Sequence, residues 1–291
     1  SVHAPFDAKQ ELIEKYRKEI DPDDPQRSPT YAAMVHSMDE SIGTLLDAVD
    51  QAGIADRTVL IFISDNGGNM YDSVDGTSVT SNDPLRGGKA TVWDGGTRVP
   101  CVVVWPGVTK PGSRSDEPIQ ASDFYPTLLK GLGIDLPENH VIDGVDIAPA
   151  LTGGSLADRP LFTYFPQVAT VVPDWLPSSI AVRSGDWKLV RVFYYGENGA
   201  HDYKLFNLKK DIGEKNNVAT SHPETVQRLD RLIDNHLEAT GAVVPLPNEA
   251  FSPKKYMPEN IGVPLSKQKV VGVVGGWIEG GSSSLEPGEG T

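Results

Sequence analysis

The most constraining feature of this 291-residue chain is an apolar strand that runs directly into polar residues. Residues 59–63 are five consecutive apolar residues, a pattern typical of a strand buried on both faces. The run is followed at once by Ser64-Asp65-Asn66-Gly67-Gly68. Because ligands bind at the carboxyl ends of the strands in open α/β sheets, Asp65 and Asn66 are predicted site residues.

The oxygen atoms of Asp65 and Asn66 suggest which metal such a site would take. A carboxylate beside a carboxamide suits calcium or magnesium, and it suits zinc or copper poorly. The alternative is a simple Asx turn in which Gly67 and Gly68 supply positive φ angles. The pair by itself leaves both interpretations open.

A second motif follows about twenty residues later, and it indicates anion binding. It comprises Arg86-Gly87-Gly88-Lys89 and then Asp94-Gly95-Gly96-Thr97-Arg98-Val99-Pro100. Glycines allow the backbone to approach a ligand closely, and the Lys89 ammonium group offers a compact positive charge. The alternative for Lys89 is an ordinary solvated loop lysine.

Together the two motifs resemble the second signature region of the sulfatase family, within the alkaline phosphatase superfamily. That region reads strand-Ser-Asp-Asn-Gly, then Gly-Gly-Lys-Gly, then Glu-Gly-Gly-x-Arg-x-Pro. This chain departs from it at Ala90, where glycine is usual, and at Asp94, where glutamate is usual. Other segments that resemble the family are 1–6, 31–50, 122–129, 142–146, 182–189 and 203–208. The resemblance therefore covers residues 1 to about 247.

The resemblance implies an α/β fold with a mixed sheet sandwiched by helices, as in alkaline phosphatase. It also implies a small C-terminal subdomain made of an antiparallel sheet plus a helix. We accordingly expect residues 1–157 to belong to the main domain and 158–247 to the subdomain. Residues 248–291 are rich in Pro, Gly and Ser and are predicted to be an extended tail.

The family resemblance also implies an activity, the hydrolysis of a sulfate ester of a sulfated carbohydrate or an aryl sulfate. Asp65 and Asn66 would bind calcium, with magnesium less suitable. Lys89 would contact the sulfate, and His3 would act as the general acid toward the leaving-group oxygen. Arg86 would assist in substrate binding, whereas Arg98 would be mainly structural because it precedes a predicted strand.

One part of the family pattern is missing from this chain. Sulfatases carry a Cys/Ser-x-Pro-Ser-Arg motif whose first residue is converted to formylglycine, the nucleophile, and no such motif is present here. The single cysteine, Cys101, lies in an apolar run that predicts a core strand, so it is assigned no catalytic role. We therefore interpret the chain as the C-terminal portion of a sulfatase, inactive without its N-terminal part and the formylglycine expected there.

Two other functions stay open at this point. One is a phosphatase or phosphonate monoester hydrolase of the same superfamily, but two-metal members carry Asp-His pairs where this chain has Asn66. The other is a non-catalytic fragment that binds a sulfated glycan. A nucleophile motif preceding residue 1 would favour catalysis, and its loss would favour binding alone.

Composition excludes some partners and locations. The formal net charge is −14, from 26 basic and 40 acidic residues, which argues against a nucleic-acid partner. No run approaches the roughly 20 apolar residues of a membrane span, so none is predicted. The chain shows no signal peptide, yet the family resemblance implies a periplasmic or secreted protein.

The pattern of apolar residues predicts the secondary structure. Residues 9–20 are predicted to form a helix, and a longer helix with one buried stripe and an exposed His36 should follow and end at Gly53. Residues 69–84 are predicted to be a structureless loop at a binding mouth. The remaining predicted strands are 58–64, 99–105, 160–165, 179–184, 187–194 and 203–208, and the remaining helices are 123–131, 144–151 and one from Pro223 to Gly241.

Overall fold

The computed structural model describes residues 2–166 and 176–247, and the chain divides into two compact units. The first unit comprises Ser1–Asp83 and Arg98–Leu161, and the second comprises Pro84–Thr97 and Phe162–Thr291. The sequence places residues 84–97 with the main domain, whereas in the structure this segment packs within the second unit. The predicted tail, 248–291, lies outside the described residues.

Two helices open the first unit, as the apolar pattern predicts. Helix α1 spans Gln10–Glu19 and helix α2 spans Pro29–Gln51. Ser28 precedes α2 as its N-cap, and its hydroxyl oxygen accepts a hydrogen bond from the Tyr31 backbone N–H at 3.1 Å. This N-cap satisfies one of the backbone donors that a helix start leaves without an intrahelical partner.

The predicted burial of α2 is wrong in two respects. Met34 is buried, but further along the predicted stripe Val35, Leu45 and Leu46 are exposed. His36 is half-buried instead of exposed, and its Nδ1 lies 2.8 Å from the Tyr16 hydroxyl of α1. The helical period predicts which side chains share a face of α2. Whether that face is buried depends on a neighbouring element, and α1 contacts α2 near His36.

Strands β1 (Leu60–Ile63) and β4 (Cys101–Val104) form a two-stranded antiparallel ribbon. The Phe62 side chain of β1 is 42% exposed, so this chain by itself does not supply the neighbours that burial on both faces requires. Cys101 is also exposed, and its predicted core position is wrong. A two-stranded ribbon has too little surface of its own to bury such side chains.

The segment 69–84 contains a small hairpin, so the prediction of a structureless loop is wrong. Strands β2 (Ser73–Val74) and β3 (Thr77–Ser78) flank a turn at Asp75 and Gly76, both with positive φ. The Asp75 carboxylate accepts hydrogen bonds from the Ser28 hydroxyl and the Thr30 backbone N–H, at 2.8 and 2.9 Å. Burial alone would raise the pKa of Asp75, but these hydrogen bonds lower it overall.

The chain also forms three short helices. Helix α3 spans Asp94–Thr97 and belongs to the second unit. Helices α4 (Phe124–Gly131) and α5 (Ala148–Leu151) belong to the first unit, and α5 is shorter than predicted. The buried Asp123 carboxylate precedes α4 and accepts a hydrogen bond from the Val145 backbone N–H at 3.0 Å. It also forms an ion pair with Arg159, so its charge is compensated.

The second unit contains a four-stranded sheet and a long helix, which confirms the predicted subdomain architecture. The strands are β5 (Leu161–Phe165), β6 (Ser179–Ser184), β7 (Trp187–Val192) and β8 (Asp202–Asn207), in that spatial order. Both β6–β7 and β7–β8 are antiparallel, with Leu189 opposite Val182 and Leu205. Helix α6 (Pro223–Thr240) packs against this sheet and ends at Gly241, whose φ is +58°.

The core of the second unit lies between α6 and one face of the sheet. It is formed by side chains that are completely or almost completely buried, namely Ile180, Val182, Leu189, Phe193, Leu205, Leu229, Ile233 and Leu237. None of the helices in the described part of the chain has both the length and the apolar character needed to cross a bilayer.

Candidate functional site

Local hydrogen bonds hold the polar turn that follows β1. The Ser64 hydroxyl donates to the Asn66 carbonyl at 2.8 Å, and the Asn66 backbone N–H donates to Asp65 Oδ1 at 2.9 Å. The Asn66 side chain donates through Nδ2 to the Gly67 carbonyl at 3.0 Å. Because the nitrogen of the Asn66 amide is engaged with the backbone, its Oδ1 is the atom suited to a metal.

A second loop of the first unit holds the end of this turn. The Gly68 N–H donates to Asn82 Oδ1 at 2.9 Å, and Asn82 Nδ2 donates to the Gly68 carbonyl at 3.0 Å. A Cβ atom at Gly68 would lie 2.6 Å from Thr80 Cγ2, closer than real contacts allow. The glycine is therefore required for the close approach of two chain segments, in addition to any turn preference.

The donor atoms of this turn are of the kind that calcium binds, but the turn supplies fewer of them than a calcium ion requires. Asp65 is exposed and Asn66 is half-buried, and both present the hard oxygens that calcium prefers. Within residues 2–166 and 176–247, no group of three or more His, Cys, Asp or Glu side chains is arranged to hold a metal ion. A calcium site takes six to eight oxygens, so Asp65 and Asn66 would be part of a larger ligand set.

His3 also belongs to the first unit and is exposed. Its ring Nδ1 lies 2.9 Å from the Ala4 carbonyl oxygen, which can only accept a hydrogen bond. The geometry therefore favours a proton on Nδ1. Nε2 is then the ring nitrogen that would exchange a proton with a substrate.

Lys89 lies on a loop in which glycines pack backbone against backbone. We call residues 84–97 the Lys89 loop. A Cβ at Gly95 would lie 2.2 Å from the Gly87 carbonyl oxygen, and one at Gly96 would lie 2.5 Å from that of Gly88. The two glycine pairs thus form a compact unit around Lys89, which is half-buried.

The departure from the family pattern at Ala90 now has a structural consequence. Ala90 adopts a φ of +66°, a left-handed conformation that a residue with a Cβ rarely takes. The glycine usual in the family would adopt this conformation without strain. The backbone beside Lys89 therefore keeps the glycine-type geometry even where alanine replaces glycine.

Arg86 is held by contacts inside the second unit. Its guanidinium carbon lies 3.8 Å from the centre of the Trp93 ring, and Nη1 donates to the Glu214 carbonyl oxygen at 2.9 Å. Trp93 is fully buried and packs edge-on against Phe206. These contacts give Arg86 a structural role, and its predicted role in substrate binding stays a prediction.

Three buried charged side chains lie at the base of the Lys89 loop, and we call them the Lys188 cluster. Lys188 Nζ lies 2.7 Å from Asp94 Oδ1 and 2.8 Å from Glu214 Oε1. Glu214 Oε2 also accepts a hydrogen bond from the Asp94 backbone N–H at 2.7 Å. Burial raises the pKa of Glu214, the Lys188 charge opposes that rise, and the Asp94 charge adds to it.

Four of the predicted site residues lie in two pairs. Asp65 and Asn66 share one turn of the first unit, and Lys89 and Arg86 share one loop of the second. Arg98 is exposed and directly precedes the chain segment that leads into β4. The catalytic and metal-binding roles of these residues stay predictions.

Sequence reasoning missed Lys188 and Glu214. Lys188 interrupts an apolar strand pattern, and a lysine in such a place is a weak signal of a buried partner. Glu214 follows Gly213 in an aperiodic segment and is 120 residues away from its partner Asp94. No local pattern indicates that pairing.

Comparisons with known proteins identify the family. The Sulfatase family model matches residues 1–134, and the model for N-sulphoglucosamine sulphohydrolase, C-terminal, matches residues 88–240. A sulfatase from Formosa agariphila is 35% identical over 246 residues, which are 79% of this chain and 42% of that protein. Human steryl-sulfatase is 30% identical, over 72% of this chain and 40% of that protein.

The fold is likewise shared with solved structures. The crystal structure of Ps i-CgsB has a TM-score of 0.67 and 29% identity, covering 80% of this chain and 47% of that one. This chain thus spans less than half the length of these relatives. The family models, the relatives and the shared fold lead to one conclusion: the chain belongs to the sulfatase family, with its alkaline phosphatase-like α/β fold.

Proposed function

We propose that this protein takes part in hydrolysing a sulfate ester, as a sulfuric ester hydrolase. The observation that carries the proposal is the Asp65–Asn66 turn at the carboxyl end of β1, in a chain of the sulfatase family. The Lys89 loop supports the proposal, because its close glycine packing fixes the backbone that carries the Lys89 ammonium group.

Each predicted site residue has a definite role in this proposal. Asp65 and Asn66 contribute oxygen ligands to calcium, which when bound would offset the negative charge of the sulfate oxygens. Lys89 contacts a sulfate oxygen through its ammonium group. His3 acts as the general acid with a proton on each ring nitrogen: Nδ1 donates to the Ala4 carbonyl, and Nε2 passes its proton to the leaving-group oxygen. The formylglycine nucleophile is expected from a segment that precedes this chain.

The substrate is proposed to be a sulfated small molecule or glycan. The relatives include steryl-sulfatases and N-acetylgalactosamine-6-sulfatases, and Ps i-CgsB has been solved in complex with k-i-k-neocarrahexaose. A phosphatase or phosphonate monoester hydrolase is not favoured, because Asn66 stands where two-metal enzymes of the superfamily use histidine. A periplasmic or secreted location is proposed from the family resemblance.

The metal assignment is tested by replacing Asp65. In the complete protein, Asp65→Ala is expected to remove one calcium ion per chain and to lower aryl sulfate turnover by about 100-fold or more, since a lost ligand leaves the ion too few donors. Elemental analysis and a nitrophenyl sulfate assay measure the two effects. The control is Asp83→Ala, which removes the same charge from another exposed position of the first unit.

The same experiment separates the two remaining alternatives. Unchanged calcium content in the Asp65 variant, or stoichiometric zinc in the wild type, would contradict the proposed metal site. Stoichiometric calcium together with sulfated-glycan binding and no turnover in the complete protein would instead support the binding-only function.

A further inference from the structure

We propose that Lys188 and Glu214 are positioning residues that fix the Lys89 loop, and through it the Lys89 ammonium group, for binding the sulfate group. The inference rests on the proposed role of Lys89 in binding sulfate. It adds two residues, both outside the Lys89 loop, to the machinery of that reaction.

The contacts tie the loop to the rest of the second unit at two points. Lys188, on β7, reaches Asp94 Oδ1 at 2.7 Å, and Glu214 Oε2 accepts the Asp94 backbone N–H at 2.7 Å. The Glu214 backbone carbonyl accepts a hydrogen bond from Arg86 at 2.9 Å. Glu214 thus holds both ends of the loop segment that contains Lys89.

The charges explain why the loop has one preferred position. Lys188 is 3% exposed, Asp94 is 5% exposed and Glu214 is fully buried. Two buried carboxylates are tolerable only while a cation lies between them, so a displaced loop would leave charge uncompensated. The burial that raises the pKa of Glu214 reflects the same cost.

Backbone packing transmits that position to Lys89. The carbonyl groups of Gly87 and Gly88 lie against Gly95 and Gly96 so closely that no Cβ atom fits between them. The hydroxyl of Thr91 also donates to the Gly88 carbonyl at 2.7 Å. A shift of Asp94 therefore moves the backbone that carries Lys89, because the loop has no free space to absorb it.

Arg191 provides a matched control on the same strand. Like Lys188 it is 3% exposed and pairs with two carboxylates, Asp230 and Asp234. These partners lie on α6, and none of these three residues belongs to the Lys89 loop. Loss of Arg191 should therefore destabilise the second unit without displacing Lys89.

The experiment measures the binding of inorganic sulfate to the complete protein at saturating calcium by titration calorimetry. Lys188→Met is expected to weaken sulfate affinity about tenfold or more, since losing one hydrogen bond to a charged group changes affinity by roughly this factor. Lys188→Arg, which keeps the charge, should retain more affinity than Lys188→Met. In Lys89→Ala the further loss of Lys188 should have no added effect, because both changes act through one ammonium group.

A milder variant and a second readout keep the test decisive. Glu214→Gln has almost the same shape as the wild type, but its amide has one acceptor oxygen and cannot accept from both the Asp94 N–H and Lys188. It should therefore also weaken sulfate binding, and it serves as the test if Lys188→Met does not fold. Hydrogen exchange of the amides of residues 86–96 should accelerate in both variants. In Arg191→Met these amides should keep their wild-type rates relative to the rest of the second unit, and sulfate affinity should not change.

The outcomes separate this inference from the proposed function. If Lys89→Ala leaves sulfate affinity unchanged, the proposed role of Lys89 is wrong. If Lys89→Ala weakens binding but Lys188→Met and Glu214→Gln do not, the positioning role alone is wrong. Equal losses in Lys188→Met and Arg191→Met would also overturn it, because they would reflect general destabilisation.

Discussion

The β1–β4 ribbon of the first unit and the four-stranded sheet of the second unit differ in how they use apolar residues. In the sheet, Val182, Leu189 and Leu205 are completely buried beneath α6. In the ribbon, Val102 and Val104 are 56% and 48% exposed. Both regions have strongly apolar strands, so the difference lies in the covering layer. A strand sequence sets what should be buried, and the neighbouring elements decide whether it is.

The largest expected effect tests the closed core. Leu229→Ala on α6 removes a fully buried side chain and should lower the free energy of unfolding of the second unit by about 2–5 kcal/mol, because it leaves a cavity. Val102→Ala on the ribbon should change stability by less than about 0.5 kcal/mol. Denaturant unfolding, followed separately in the two units by hydrogen exchange, measures both. A similar loss for the two variants would show that the ribbon is buried in solution.

A smaller effect is expected where the second unit carries local strain. Ala90→Gly should stabilise the protein by about 1 kcal/mol, because the left-handed conformation at this position costs alanine but not glycine. Ala181→Gly is the control, since Ala181 lies in β6, where glycine is unfavourable. The melting temperature should rise for Ala90→Gly and fall for Ala181→Gly. A lower melting temperature for Ala90→Gly would contradict the assigned backbone conformation.

The last expected effect is a difference in slope against pH, and it concerns a polar contact of the sheet. Burial, with a hydrogen bond to Asp230, raises the pKa of Tyr203 to about 12, above the usual 10. In the unfolded chain Tyr203 ionises first, so its contribution to stability is complete below pH 10 and is lost as the pH rises toward 12. Tyr203→Phe should show a shallower loss of stability over this range. Identical alkaline unfolding profiles for the two proteins would refute the shifted pKa.

The comparison also shows how much of the fold the sequence predicts. Helices α2 and α6 and strands β6 to β8 were accessible from periodicity, because each repeat directs one set of side chains to one face. The hairpin at Asp75 was not, since its short strands have no repeat and depend on hydrogen bonds to Ser28 and Thr30. The exposure of Cys101 was also mispredicted, because an apolar pattern carries no information about the layer that covers it.

The candidate site divides in the same way. The Asp65–Asn66 turn and Lys89 were found in the sequence, because their chemistry depends on adjacent residues and on a strand end. Their roles as metal and sulfate ligands stay predictions, to be tested by the Asp65 and Lys89 variants.

The sequence by itself determined the sulfatase motifs, the α/β class and which faces of the helices and strands are apolar. Each of these depends on a few neighbouring residues. Only the tertiary structure decided that Lys188 and Glu214 meet Asp94, and that residues 84–97 pack with the second unit. The physical reason is that the energy of a buried charge depends on where its partner lies in space. That partner is 94 residues away for Lys188 and 120 residues away for Glu214.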